Sequence, residues 1–171
     1  MTISELMAGV TPKPEYAGIA NADDYVLAVD FSGTAENVGE YLVAIDGMTS
    51  HAATLEGITS DKTYLHKGPT SSKTATKRTF ALAGDRYLGD AFQEALLAHE
   101  MKFGKGAAVV RPYVYFCMLT GKGEQGKATI MVGDDTAGEA GASATISATL
   151  TAFGEPTAYT YSAPANEPAA E

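Results

Sequence analysis

Apolar and polar residues alternate from Tyr25 to Phe31. Tyr25, Leu27, Val29 and Phe31 oppose Val26, Ala28 and Asp30, the period of a strand with one buried face. Glu40 to Asp46 (EYLVAID) is a second strand after a turn region at Ser32 to Gly39, a separation that suits an antiparallel hairpin. Ala52 to Ile58 is a weaker third, with Gly57 hinting at a bulge, and Thr79 to Ala83 (TFALA) is a fourth. The period then lengthens. Phe92, Ala95, Leu96, His99 and Phe103 form a helical stripe, Asp90 is the N-cap, and Gln93 stands three residues on as in a capping box. Gly104 closes this helix, 90–102, after Lys102 in its last turn.

Ala107 to Leu119 (AAVVRPYVYFCML) is the longest apolar strand. Val110, Pro112, Val114, Phe116 and Met118 share one apolar face, and Val109, Arg111, Tyr113, Tyr115 and Cys117 share a mixed one. Pro112 lacks a donor, which predicts an edge strand or a bulge there. Thr120 to Gly154 holds a glycine turn (GKGEQG), a short strand Lys127 to Val132, a loop from Gly133 to Ala142, and a strictly alternating strand. In that strand Ser143, Thr145, Ser147, Thr149 and Thr151 oppose Ala144, Ile146, Ala148, Leu150 and Ala152. The elements predict an all-β, β-rich domain of two packed antiparallel sheets, a sandwich or flattened barrel, with one flanking α-helix and extended N- and C-terminal arms.

The chain divides into an N-terminal arm, 1–21, a β domain, 22–157, and an Ala/Pro-rich acidic tail, 158–171, expected to be solvated. In the arm Pro12 and Pro14 break any helix begun at Ser4; it is a mobile terminus or an arm that orders on a neighbour. With 171 residues there is room for one real core, and the absence of tryptophan with abundant glycine and small polar residues favours β structure. No stretch approaches the roughly 20 apolar residues of a membrane helix, so no membrane insertion is expected. Residues 1–16 carry Glu5 and no early basic residue, unlike a secretory leader, and the single Cys117 rules out an internal disulfide, so a cytosolic product is the simplest expectation.

Charge is unevenly spread. Residues 1–58 hold one basic side chain against nine acids, and 121–171 hold two against seven. Between them the long connection 59–78 (TSDKTYLHKGPTSSKTATKR) carries Lys62, Lys67, Lys73, Lys77 and Arg78 against Asp61 alone. An acidic body is a poor candidate for gripping DNA. The connection is a solvated loop, or a two-strand extension with its tip near Gly68 and Pro69. Its charge favours docking on an acidic face of another copy, because the rest of the chain supplies the complement.

Apparent chemical motifs dissolve on inspection. Gly121, Gly123 and Gly126 match G-x-G-x-x-G, but a β-rich segment follows where the dinucleotide fingerprint needs a helix. His51, His66 and His99 lack metal-ligand spacing, and His99, on the helix stripe, is expected to be partly buried. Asp134, Asp135 and Glu139 lack the EF-hand pattern, Cys117 has no activator in sequence, and no nucleophile–base set emerges. No catalytic, metal or cofactor site is assigned, and the chain is not read as an enzyme.

The GKGEQG turn, short strand, GEAG loop, alternating strand and closing FGEPT, with the element order before them, resemble tail tube (major tail) proteins of long-tailed bacteriophages over residues 22–157. The resemblance implies a structural virion protein, made in the bacterial cytoplasm, that forms hexameric rings stacked head to tail into a tube. DNA would pass through the tube without specific binding. The implied partners are the chain itself and other tail proteins: tape measure, tail terminator and distal tail. On this reading Lys62, Lys67, Lys73, Lys77 and Arg78 are ring-to-ring candidates. Thr145, Ser147, Thr149 and Thr151 form a lumen-facing or an outer stripe. A head decoration or tail-completion protein, and the tube of a contractile injection or secretion system, remain alternatives, as does an enzyme or small-ligand carrier built on a β-barrel.

Overall fold

One antiparallel sheet carries the molecule, and its curl makes the core. The computed structural model describes residues 1–162. The elements are α1 (Ile3–Leu6), β1 (Tyr25–Val29), β2 (Leu42–Val43), β3 (Met48–Tyr64), β4 (Gly68–Asp85), α2 (Ala91–Leu96), α3 (His99–Phe103), β5 (Val110–Cys117), β6 (Lys122–Val132), β7 (Thr145–Ala152) and β8 (Thr157–Thr160). Strand order is β2-β1-β5-β6-β7-β4-β3, with β8 also on β6. The β-rich antiparallel architecture is as expected, but its two layers are halves of one hydrogen-bonded sheet. Phe80 of β4 and Tyr113 and Tyr115 of β5 stand three strands apart in that order, yet their rings lie 5.2 and 5.0 Å from Phe80. Strand twist, accumulated over these strands, folds one half of the sheet onto the other.

The concave side is filled by Leu27, Val29, Phe80, Leu82, Tyr113, Ile130 and Leu150, and closed by Phe92, Leu96 and Met101. Both faces of β5 are covered, since Val114 and Phe116 enter a second cluster with Val26, Ala28 and Val43. Ile3 and Met7 of the N-terminal stretch seal that cluster, with 0 and 3% exposure. Each is worth about 1.5–3 kcal/mol by apolar transfer. The start of the expected arm therefore docks on the subunit's own sheet: Thr2 bridges Leu42 and caps α1 in a box with Glu5. The helix ends at Leu6 and the chain turns through left-handed Gly9, before Pro12 and Pro14 are reached, yet one turn suffices to bury its two anchors.

Other boundaries shift for identifiable reasons. The expected tail starts as β8, because Tyr159 and Tyr161 pack on Phe116, Tyr161 stacked at 5.7 Å; the rest of it, 163–171, lies outside the described residues. The single helix is two, α2 and α3, broken at Leu97 and Ala98. Asp90 accepts from the Gln93 amide at 2.9 Å, but the Gln93 side chain does not return to the cap. It is fully buried, donating to the Asp46 and Asp85 carbonyls and accepting from the Tyr87 amide. His99, expected partly buried, is exposed and rests on Phe103; the break turns the second half of the stripe outward and buries Met101. Pro112 sits inside the sheet without a bulge. Its carbonyl accepts from Asp30, so its missing donor faces just past the end of β1, where no ladder bond is lost.

Candidate assembly interface

The long basic connection is a β-ribbon. Strands β3 and β4 stay paired from Met48↔Gly84 to Tyr64↔Gly68, whereas β7 leaves β4 after Thr79↔Thr151. Beyond Thr54 and Thr79 the ribbon has no third strand paired to it and, at roughly 3.3 Å per residue, runs about 30 Å to its tip. The backbone ladder makes it a ribbon, and two threonine side chains add bonds to it. Thr70 Oγ1 donates to the Lys62 carbonyl at 3.1 Å, and Thr74 Oγ1 donates to the Ile58 carbonyl at 3.0 Å beside the register shift at Ile58/Thr59. The tip turns through His66 and Gly68, both left-handed (φ 66° and 75°). An isolated two-stranded hairpin is marginal in water and leaves strand edges unpaired.

The five basic candidates separate into two groups. Lys62, Lys67, Lys73 and Lys77 are exposed and form no ion pair among the described residues. Arg78 differs from the four lysines: it is 8% exposed, its Nε donates to Glu124 Oε1 at 2.7 Å, and its guanidinium lies over the rings of Phe80 and Tyr115. Tyr113 donates its hydroxyl to the same Glu124 oxygen at 3.3 Å. Burial, then the charge and hydrogen bond of Glu124, push that phenol far above its ordinary range. Arg78 thus anchors the ribbon's root inside the subunit. Sequence reasoning missed Glu124 and Tyr113 because 46 residues separate Arg78 from Glu124 and no local pattern joins them.

Apolar side chains accompany the lysines. Leu65 at the tip is 90% exposed, and Leu55, Ile58 and Tyr64 also stand in solvent. An open groove runs between the ribbon's root and the β7–β8 turn, lined by Leu55, Lys77, Glu124, Gly154 and Pro156.

Thr145, Ser147, Thr149 and Thr151 share the outward face of β7, opposite buried Ile146, Ala148 and Leu150. Thr149 is flanked by Ala81 of β4 and Met131 of β6, and Thr151 by Thr79 and Thr129, so the central part of the face carries no charge. Ser147 is tied down, donating to Asp134 Oδ2 at 2.7 Å. The acidic loop after β6 is pinned at two further points, by an Ala137–Thr145 bridge and by Lys102 on Asp135 at 3.3 Å. Lys102 holds the Asp135 carboxyl below its ordinary range.

The three glycines of the apparent nucleotide motif have backbone roles. Gly121 turns the chain at φ 71°, whereas Gly123 and Gly126 lie within β6, which begins at Lys122 and not at Lys127. A Cβ on Gly123 would collide with the Tyr115 carbonyl. Among the described residues no three His, Cys, Asp or Glu side chains gather as a metal site, and no helix is long and apolar enough to cross a membrane.

No family model matches the chain, and no curated protein matches its sequence. Solved structures do. A chain in the tail of an empty gene transfer agent particle, a helical assembly with C6 symmetry, superimposes with a TM-score of 0.59 at 19% identity, covering 84% of this chain and 100% of that one. A chain in the virion of a native gene transfer agent particle gives 0.57 at 15% identity, over 83% and 100%. At such identities the likeness is one of fold: this chain has the fold of a protein found in a phage-like tail.

Proposed function

We propose that this protein is a non-enzymatic structural component of a virion tail, the subunit of a tail tube built from stacked hexameric rings around a lumen for DNA. The observation that carries the reading is the β3–β4 ribbon, a charged extension with open edges on a body that shares its fold with a chain of a C6-symmetric tail. A free subunit gains little from such an element, and a neighbouring copy gives it a partner. Lys62, Lys67, Lys73 and Lys77 make the ring-to-ring contact, with Arg78 fixing the ribbon from within. Lateral pairing of open strand edges closes each ring, and contacts between unlike ends give an open stack. The uncharged stripe of Thr145, Ser147, Thr149 and Thr151 lines the lumen, where hydroxyls offer phosphate no cation and the net charge of −9 opposes adsorption. Other tail proteins meet the two ends of the tube, which is assembled in the host cytoplasm.

Negative-stain electron microscopy of the concentrated protein tests this. Hollow tubes of uniform width are the expected result. Isolated oligomers at every concentration would overturn it in favour of a head decoration or tail-completion role.

A further inference from the structure

Resting on the tube reading, we infer that the ribbon tip docks on the opposite end of the next copy, at the acidic β6–β7 connection, 133–144, and the adjoining β4–α2 connection. Antiparallel register fixes the geometry. Thr79↔Thr151 marks the ribbon's root, and Asp85↔Thr145 marks the far end of the same two strands. The β6–β7 connection caps that far end through the Ala137–Thr145 bridge, and the Arg86 amide donates to Ala144 at 2.7 Å, so the two connections abut. When copies repeat head to tail along the ribbon, the surface that receives the tip is this one.

The two ends match in chemistry as well as position. The far end presents Asp85, Asp134, Asp135 and Glu139, of which Lys102 neutralises one. Beside them Tyr87 and Leu88 are 58 and 78% exposed. The tip presents Lys62 and Lys67 beside Tyr64 and Leu65, which are 51 and 90% exposed. Each end thus pairs an apolar dyad with a net charge, positive at the tip, where Asp61 offsets one lysine, and negative at the far end, where Lys102 offsets one acid. Apolar contact supplies the affinity, while charge sets register and discriminates against tip-to-tip association.

Charge exchange in the full chain tests the assignment. Asp85 and Glu139 suit it because neither carboxylate holds a hydrogen bond among the described residues. The variants Lys62→Glu/Lys67→Glu and Asp85→Lys/Glu139→Lys should each raise the critical concentration for tube formation at least about tenfold. The chain carrying all four changes should regain tubes and be excluded from wild-type ones. Circular dichroism confirms that each variant is folded, and Lys62→Gln/Lys67→Gln replaces the first if it is not. Wild-type assembly by Asp85→Lys/Glu139→Lys, or continued failure of the folded four-fold variant, overturns this docking site and leaves the tube reading standing. A wild-type chain that never forms tubes overturns both.

Discussion

Arg78 Nε and Glu124 Oε1 lie 2.7 Å apart across a gap that no backbone hydrogen bond spans, joining the root of the ribbon to β6. The pair is enclosed by Phe80, Tyr113 and Tyr115, so removing one partner strands a charge in poorly hydrated surroundings. Arg78→Met should cost about 2 kcal/mol. That is below the 3–5 kcal/mol of a fully enclosed pair, because the Glu124 side chain is 25% exposed and rehydrates. Urea denaturation measures the loss. Adding Glu124→Leu should recover only part of it, because the buried Tyr113 hydroxyl then loses its acceptor, and hydrogen exchange should show amides at the ribbon root opening in the single variant while those of β7 stay protected.

Gln93 gives a second stability test. Its side chain, 0% exposed, satisfies two carbonyls and one amide where the connections before β3 and after β4 meet α2. Gln93→Leu keeps the bulk and orphans these groups, at about 1–3 kcal/mol for each that stays dry. A fall in thermal midpoint of several degrees is expected. A midpoint equal to wild type would mean that water replaces the amide fully.

Gly123→Ala should be more damaging than Gly126→Ala. The added methyl meets the Tyr115 carbonyl and Phe116, both held in the β5–β6 pair, so the strands must separate. At Gly126 the nearest atom is a Tyr113 ring carbon at 3.4 Å, which is ordinary contact. Soluble yield and thermal midpoint of the two alanine variants rank them.

Much of this was legible in the chain. Ile146, Ala148 and Leu150 are buried as their alternation predicts, because period two leaves a strand no choice of face. The strand nature of the residues around Gly68 and Pro69 was visible only as an option, since a run rich in Ser, Thr and Lys shows no apolar alternation and only the backbone pairing of β3 with β4 makes it a ribbon. The Arg78 cluster was hidden for a stronger reason. A basic residue closing a basic run reads as part of that run, and only the curl of the sheet brings Glu124 to it.

Asp30 should make part of the fold's stability pH-dependent. Burial pushes its carboxyl upward, but the Ser32 hydroxyl and the Ala35 and Gly33 amides donate to it and hold it below the ordinary 3.8. A group depressed in the folded state contributes stability above its unfolded value, and that contribution fades as pH falls through the folded one. Asp30→Asn should therefore cost about 1 kcal/mol at neutral pH. The variant should converge on wild type as acid protonates Asp30, in urea titrations carried from pH 7 to below 3.8. A constant gap across that range would assign the loss to packing instead.

Limited trypsin digestion separates the free subunit from the assembled one. The ribbon offers Lys62, Lys67, Lys73 and Lys77 on an exposed two-stranded element, and Lys67 sits in its turn. The arginines of the body are partly or fully buried and engaged with Glu124, Glu94 and Glu100. In dilute protein, with the exposed connection residue Lys105 as the body's reference site, the first cut in the ribbon should fall at Lys67, where the turn opens most readily. Docking on a second copy orders the tip and covers it, so pelleted tubes should resist cleavage there by at least about tenfold relative to the free subunit. Equal cleavage in both states would mean that the ribbon stays solvated within the tube. The ring-to-ring contact would then have to come from other residues, with the exposed Phe103 and Phe153 next to be tested.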